Sequence, residues 1–600
     1  MKEDTIPKQF LENVRKLKGR VAMREKKFGV WERTTWDEYW EHVRNFALGL
    51  KTMGFEEGDV LAILGDNCRE WLYADLAAQC SAGVAAGIYP TDIPEQVHYI
   101  CRDSKAKLVV AKDQEQVDKV LEVKDDLPLL KAVVVIDTKG LRKYNDPLLT
   151  SFQEVEDIGE KYHHKHPHEF NKMITRTRHE DMATIIYTSG TTGEPKGVML
   201  THKNMITMID GYAKIISLTE RDSLVSSLPL CHIGERIFSL LFPMSRQVTI
   251  NFAESVNTLQ DDLREISPTA FLNVPRIWEK MYSSVMIRME ESILLKRLCF
   301  RAMMPIGRKV AGIKMSGKRP PLHWKILYAF AYLLLFRALR NQLGLLNVRI
   351  AVGGAAPLSE DLLKFYYSIG LPIQEAYGMS EATGMSSVSG RDEVRPGAVG
   401  RPIPGVKIKL AEDGEILIGG DTVFRGYLNK PEKTDAVLKD GWIYSGDIGQ
   451  WDEEGFLRIT DRKKDIIVTS GGKNIAPSAI ENKLKFSPYI KEAIVIGDRR
   501  KFPSVLIQID PENVGNWAQK RLIPYTTYKS LATTAEIKEL ISGVVEEANS
   551  HFARVERVKK FKILEKELDP DDDELTGTMK VKRGIIEKKF KTLIDEIYNV

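Results

Sequence analysis

Residues 187–197 read Tyr-Thr-Ser-Gly-Thr-Thr-Gly-Glu-Pro-Lys-Gly, a string of hydroxyls, glycines and one lysine with almost no apolar side chain to bury. Thr188, Ser189, Thr191 and Thr192 supply hydroxyl donors, and Lys196 adds a positive point charge. Gly190, Gly193 and Gly197 let the backbone curl so that successive N–H groups point inward and cradle an anion. Such a loop suits a polyphosphate. It differs from the G-x-x-x-x-G-K-[ST] loop of nucleotide hydrolases: Glu194 and Pro195 separate Gly193 from Lys196, and Gly197 stands where a hydroxyl is needed.

Further residues with chemical potential lie downstream. His232 and Arg236 follow an apolar run at 223–228, in Pro-Leu-Cys-His-Ile-Gly-Glu-Arg, where a strand end in an open parallel sheet would present them to a ligand. The small residues Gly354, Ala355 and Ala356 follow a strand at 348–352 and let a flat ring approach the backbone. Next comes Gln374-Glu-Ala-Tyr-Gly-Met-Ser-Glu: Tyr377 can stack on a base, Gly378 allows a tight turn, and Glu381 can hold a hard cation through oxygen. Asp447, in Tyr-Ser-Gly-Asp-Ile-Gly, can accept from both hydroxyls of a ribose. Lys580, in Thr-Gly-Thr-Met-Lys-Val-Lys-Arg, reads by itself as an ordinary solvated lysine.

The elements that must position these residues are legible as pattern. The loop is flanked by an apolar strand at 182–186, a second strand at 198–200 and a helix at 204–216. Upstream, a helix capped by Thr35, a strand at 60–64, a helix at 71–82 and strands at 108–111 and 132–136 argue a parallel sheet covered by helices. Residues 405–460 change to short β runs and turns, an antiparallel pattern fitting a small β subdomain. Asp461-Arg-Lys-Lys-Asp-Ile follows as a charged linker or hinge, and a new α/β pattern runs to the end. The expected fold class is α/β: a large N-terminal domain of parallel α/β sheets with a β subdomain at about 400–460, spanning 1–460, and a smaller mobile α+β C-terminal domain over 461–600.

Composition bounds the partners. The 600 residues are 43% hydrophobic and 28% charged, a globular balance, and a net charge of +4 is too small to imply nucleic acid. Met1 opens a polar, lysine-rich stretch rather than a secretory segment, and five cysteines without paired spacing read as reduced thiols of a cytoplasmic protein. Four histidines between 163 and 168 could bind a metal but lie in a polar connector without a cysteine or acidic partner, which favours an exposed loop. Residues 292–359 contain no Asp or Glu, and the apolar run 326–336, eleven residues, is too short to span a bilayer. That segment reads either as peripheral contact with the cytoplasmic face of a membrane through 292–349, or as a buried helix flanked by a solvated basic face. Its charge could equally attract anionic CoA.

Taken in order, these motifs resemble the adenylate-forming synthetases, and within them the long-chain fatty-acyl-CoA synthetases. The string His232–Arg236, the segment Val274-Pro-Arg, Gly472-Lys-Asn-Ile-Ala-Pro and the Thr-Met-Lys-Val-Lys-Arg ending carry the narrower resemblance. It implies a fatty acid, ATP and CoA as substrates and Mg²⁺ as cofactor, with formation of an acyl-adenylate followed by transfer to CoA. It implies that Thr188 and Glu381 approach Mg²⁺ and that Ser189, Gly190, Thr191, Thr192, Gly193 and Lys196 hold the β- and γ-phosphates. Adenine would lie against Gly354, Ala355, Ala356, Glu375, Ala376 and Tyr377, with Gly378, Met379 and Ser380 completing the strand end, and ribose against Asp447 and Arg462. Lys580 would be the catalytic lysine of the mobile domain, with His232 and Arg236 lining the cleft and Asp461 and Lys464 at the hinge. The chain departs from the pattern at Gly577, where proline is usual, and Lys582 stands close enough to compete with Lys580. Loading of a carrier protein, a catalytically inactive lipid-binding scaffold and a homodimer stay open as alternatives.

Overall fold

The computed structural model describes residues 1–188, 194–255, 257–570, 572–576 and 580–598. Ser189, Gly190, Thr191, Thr192 and Gly193 of the expected phosphate loop, and Gly577, lie outside the described residues.

Local sequence chemistry sets many of the elements. Thr35 and Glu38 form a reciprocal cap on the helix Trp36–Thr52, and Ser151 with Glu154 caps Phe152–Lys165 in the same way. Apolar strands Val60–Leu64 and Val84–Ile88 are buried at every residue, as strands covered by helices on both faces must be. They lie inside an eight-stranded sheet ordered Gly426–Tyr427, Lys196–Thr201, Met182–Thr188, Val84–Ile88, Val60–Leu64, Ala106–Ala111, Ala132–Val135, Leu149–Ser151. From Met182–Thr188 onward the neighbours are parallel. The first two pairings are antiparallel. The strands Met182–Thr188 and Lys196–Thr201 thus form a hairpin, whose base pairs Thr188 with Lys196.

A second sheet runs Ala270–Asn273, Ile350–Gly354, Ile373–Met379 in parallel and closes with the antiparallel Gly384–Val388 and Arg401–Pro402. The β subdomain is antiparallel, as its alternating pattern requires, and includes Trp442–Trp451 and Leu457–Arg462. The smaller domain is built on Ile490–Ile496, Ser504–Ile509 and Lys560–Ile563 with helices packed against them.

Three expectations are corrected. The strand Leu457–Arg462 pairs Asp461 with Ile448 and Arg462 with Asp447, so the β subdomain continues past residue 460 and the joint begins after Arg462. His163 and His164 sit in the last turn of Phe152–Lys165 rather than in a loop. No group of three His, Cys, Asp or Glu side chains suited to a metal occurs among the described residues. The apolar run at 326–336 is the middle of one helix, Leu322–Gln342, whose 21 residues are long enough to cross a bilayer.

Candidate active site

The hairpin base is the first half of the site. The strand Gly426–Tyr427 adds to its edge, opposite Met199 and Val198, and so delivers Tyr427 beside Lys196. The Lys196 ammonium lies 4.4 Å from the Tyr427 ring centroid, a cation–π contact. The Tyr427 hydroxyl donates to Glu381 Oε1 at 2.6 Å. Thr188, half-buried at the end of its strand, directs its hydroxyl toward the Lys196 carbonyl at 3.5 Å. Burial lowers the Lys196 pKa; Glu381 opposes that shift, and Lys433, Lys464 and Lys430 add to it. Four lysines thus converge on the hairpin. Lys430 bonds the Pro195 carbonyl at 3.3 Å, which fixes the exit of the loop.

Glu381 and Thr188 present hard oxygen donors at that position. Mg²⁺ keeps several waters and takes one or two carboxylates together with substrate phosphates, so this sparse donor set fits it. Tyr427 and Lys430 are absent from the sequence-derived site. Their only signal was Gly426, whose φ of 139° permits the bend that turns the short edge strand in.

The second half lies where the strands Ile350–Gly354 and Ile373–Met379 end together, with Gly354 opposite Ala376. Ala355 adopts φ 68°, the left-handed region that a residue with a Cβ enters only under constraint, and Ala355 and Ala356 are exposed at this turn. A Cβ at Gly378 would sit 1.6 Å from the Gly384 carbonyl oxygen, so only glycine fits the crossing of these strands. Beyond it, Met379 and Ser380 are half-buried and lead to Glu381.

Tyr377 donates to Asp447 Oδ2 at 2.8 Å, and Arg462 Nε lies 3.6 Å from Asp447 Oδ1. Burial pushes the Asp447 carboxyl up, with Arg462 opposing. Glu375 lies opposite Gly353 on the same pair of strands. Its carboxyl is buried, its Oε2 has no hydrogen-bond partner among the described residues, and burial raises its pKa to about 8, with the backbone N–H groups of Leu358 and Gly397 opposing.

The C-terminal domain closes over this half. A bridge between Leu575 and Val581, with the Lys580 N–H donating to Thr576 Oγ1 at 3.0 Å, fixes the backbone at Lys580. Its side chain keeps solvent access while protein surrounds it, and lies within electrostatic reach of Arg462, Asp447 and His232. Burial, with Arg462 adding to it, lowers its pKa to about 8. Lys582 does not compete for this place: it pairs with Asp573 and faces Asp92.

His232 caps the short helix Ile233–Arg236, with Nδ1 accepting from the Gly234 N–H at 3.0 Å. Burial, and then Lys580, lower its pKa to about 4, so the ring is neutral and Nε2 carries the proton. Arg236 contradicts its expected place in the cleft. It is fully buried, pairs with the equally buried Asp75 at 2.9 Å, and stacks over Trp71. Arg236 is part of the frame.

Asp461 also proves to be an anchor. Its two oxygens accept from the Ser478 hydroxyl at 2.9 Å and the Ser478 N–H at 3.1 Å, gripping the first turn of the helix Pro477–Lys485. Lys464 follows in the joint, its pKa lowered by burial and then by Arg462. Farther out, Phe486 stacks on Tyr282 at 4.6 Å, Lys483 pairs with Asp361, and Lys520 pairs with Glu291 at 2.9 Å.

Residues 10–428 match the family model described as AMP-binding enzyme, and residues 464–600 match that of the AMP-binding enzyme C-terminal domain. The chain is 35% identical over 629 aligned positions to the long-chain-fatty-acid–CoA ligase ACSBG2 of Xenopus laevis, covering 99% of this chain and 84% of that protein. It is 36% identical over 575 positions to the long-chain-fatty-acid–CoA ligase FadD15 of Mycobacterium bovis, covering 95% and 93%. Among solved structures, the anthranilate CoA ligase AuaEII in complex with anthranoyl-AMP superposes with a TM-score of 0.72 at 18% identity, covering 98% of both chains. The adenylation domain of a carboxylate reductase from Mycobacterium chelonae gives 0.74 at 18% identity, covering 99% of this chain and 91% of that one.

Proposed function

The chain belongs to the AMP-binding enzyme family, and from that premise we propose that it activates a long-chain fatty acid with ATP and transfers the acyl group to CoA. The observation that carries the reading is the convergence of Lys580 on Asp447, Arg462 and His232. The long-chain preference is supported by the relatives named above, which are long-chain-fatty-acid–CoA ligases.

A fatty carboxylate is a poor acceptor for a thiolate because its charge repels the nucleophile and oxide is a poor leaving group. Attack of the carboxylate on the α-phosphorus of ATP breaks the α–β bond, releases pyrophosphate and leaves AMP as the leaving group on the acyl carbon. The protein's part is in-line positioning and neutralisation of charge. Tyr377 and Asp447 hold the nucleoside end, the lysines around 196 and 430 hold the polyphosphate end, and protonated Lys580 meets the charge that grows between them. Glu381 and Thr188 would hold Mg²⁺, which would add to the neutralisation of the phosphates. His232, neutral and donating through Nε2, can orient the incoming carboxylate beside Lys580. CoA thiolate then attacks the acyl carbon and AMP leaves.

Release of AMP and pyrophosphate from MgATP, with and without CoA, across acids from acetate to oleate tests the proposal. CoA-dependent AMP release that grows with chain length is the expected result. Pyrophosphate release indifferent to CoA would point to a carrier protein as acceptor, and no turnover with any acid would leave a lipid-binding scaffold. We place the protein in the cytoplasm, in keeping with its five free thiols.

A further inference from the structure

We propose that the helix Leu322–Gln342 and its partner Leu294–Met315 form a docking surface for an anionic phospholipid membrane, with the outer stripe of the first lying in the interface plane. Leu322, Ile326, Leu327, Phe330, Leu333 and Leu334 all face solvent, Leu322 at 73% and Leu333 at 70% exposure. At 3.6 residues per turn they fall on one arc of roughly 140°. The opposite face buries Ala331, Leu335, Phe336 and Leu339 in the protein. A soluble domain gains nothing by holding six large apolar side chains in water on a single helix face; such a contiguous stripe marks an interaction surface.

Charge selects the partner. Lys318 and Arg319 sit exposed at the turn between the two helices, and Lys325 and Arg337 are exposed on the apolar helix itself. Residues 292–359 supply no carboxylate to pair with them. An apolar stripe rimmed by unopposed cations is complementary to acyl chains beneath anionic headgroups. A second copy of this chain would bring one basic rim against another, which like-charge repulsion disfavours.

The geometry also separates docking from spanning. Lys314 lies 5.8 Å from the Tyr328 ring centroid, while a Cβ at Gly307 would meet Phe336 at 2.8 Å, so the two helices run antiparallel. Insertion of the apolar helix would drag its neighbour with it, and that neighbour carries Lys296, Arg297, Arg301, Arg308 and Lys309. The helix is further tethered by Arg340, which donates to the carbonyls of Leu345, Leu346, Val348 and Gly370. Cations on this scale do not enter hydrocarbon, whereas in the plane of the interface they remain among the headgroups. The proposal draws its purpose, access to a membrane-dissolved acid, from the acyl-activation reading, but its test needs no turnover.

The test is flotation of the full chain with vesicles of phosphatidylcholine, with and without phosphatidylglycerol. Binding is expected only with phosphatidylglycerol, weakening roughly tenfold or more as salt screens the cations. The triple variant Ile326→Glu, Phe330→Glu, Leu333→Glu alters only exposed positions, and is expected to melt like the parent while losing about 100-fold in vesicle affinity. Its AMP formation with water-soluble octanoate should stay unchanged, so a failed acyl-activation reading and a failed membrane reading give different results. Equal flotation of parent and variant would overturn the proposal, as would equal binding to vesicles lacking phosphatidylglycerol. A parent that dimerises through this stripe and ignores vesicles would overturn it too.

Discussion

The two halves of the cleft are held by different means. On the N-terminal side, Glu381, Tyr427 and Lys196 interlock across strands of large sheets, and the frame behind them contains the fully buried pair Arg236–Asp75. On the C-terminal side, Lys580 is carried by a domain seated by one ring stack, a few ion pairs and the Asp461 anchor. Exposed ion pairs contribute little each, so the second seating is the weaker of the two. On the proposed mechanism the groups that bind are built into the frame, and the group that neutralises transferring charge is carried by the smaller domain. We propose that this domain moves away after adenylation and frees the cleft for CoA.

The largest effect that tests this contrast belongs to the frame. Asp75→Ala strands the Arg236 charge in the interior and should destabilise the large domain by about 3–5 kcal/mol in urea unfolding. The double variant Asp75→Leu, Arg236→Met should regain most of that stability and keep acyl-adenylate formation per folded molecule; loss of adenylation in the stable double variant would return Arg236 to the mechanism.

Next in size is the group carried by the smaller domain. Lys580→Ala should slow acyl-dependent pyrophosphate exchange about 10²–10³-fold with no change in melting. Thioester formation from preformed acyl-AMP should barely change, and equal damage to both half-reactions would erase the distinction between binding frame and mobile charge.

Tyr427→Phe removes a hydrogen bond to a carboxylate, worth about 1.5–3 kcal/mol. It should raise the KM for MgATP about tenfold or more while leaving CoA binding alone. An unchanged KM would show that Glu381 needs no such anchor.

The smallest effect is in pH. On the proposed mechanism Lys580 acts protonated, and with its pKa lowered to about 8 the adenylation rate should fall as pH rises through that value, while thioester formation holds. Linkage has the opposite sign for docking. The docked lysine binds fewer protons than the free one, so the closed arrangement is favoured as pH rises from about 8 toward the ordinary lysine value, even as it loses activity. Parallel pH profiles for the two half-reactions would contradict a lysine that serves only one of them.

Much of this protein is local and therefore legible in its sequence. The strand Val60–Leu64 is an unbroken apolar run, Thr35 and Glu38 make a cap within one turn, and Tyr377, Glu381 and Asp447 sit in strings whose residue types already state an oxygen chemistry. Properties that depend on a distant partner were not. Arg236 follows a strand end as a ligand residue would, but Asp75 on another helix captures it. Glu375 sits one residue before Ala376 on the same strand, yet its carboxyl is buried in the packed interior, which no local pattern announces. Tyr427 enters the site only because its two-residue strand pairs with Val198 and Met199, a choice no local pattern encodes. Lys580 and Lys582 are equivalent in the sequence until one faces Asp447 and Arg462 and the other pairs with Asp573. Periodicity and capping are decided within a few residues, whereas the partner of a buried charge is decided by which elements the packed core brings together.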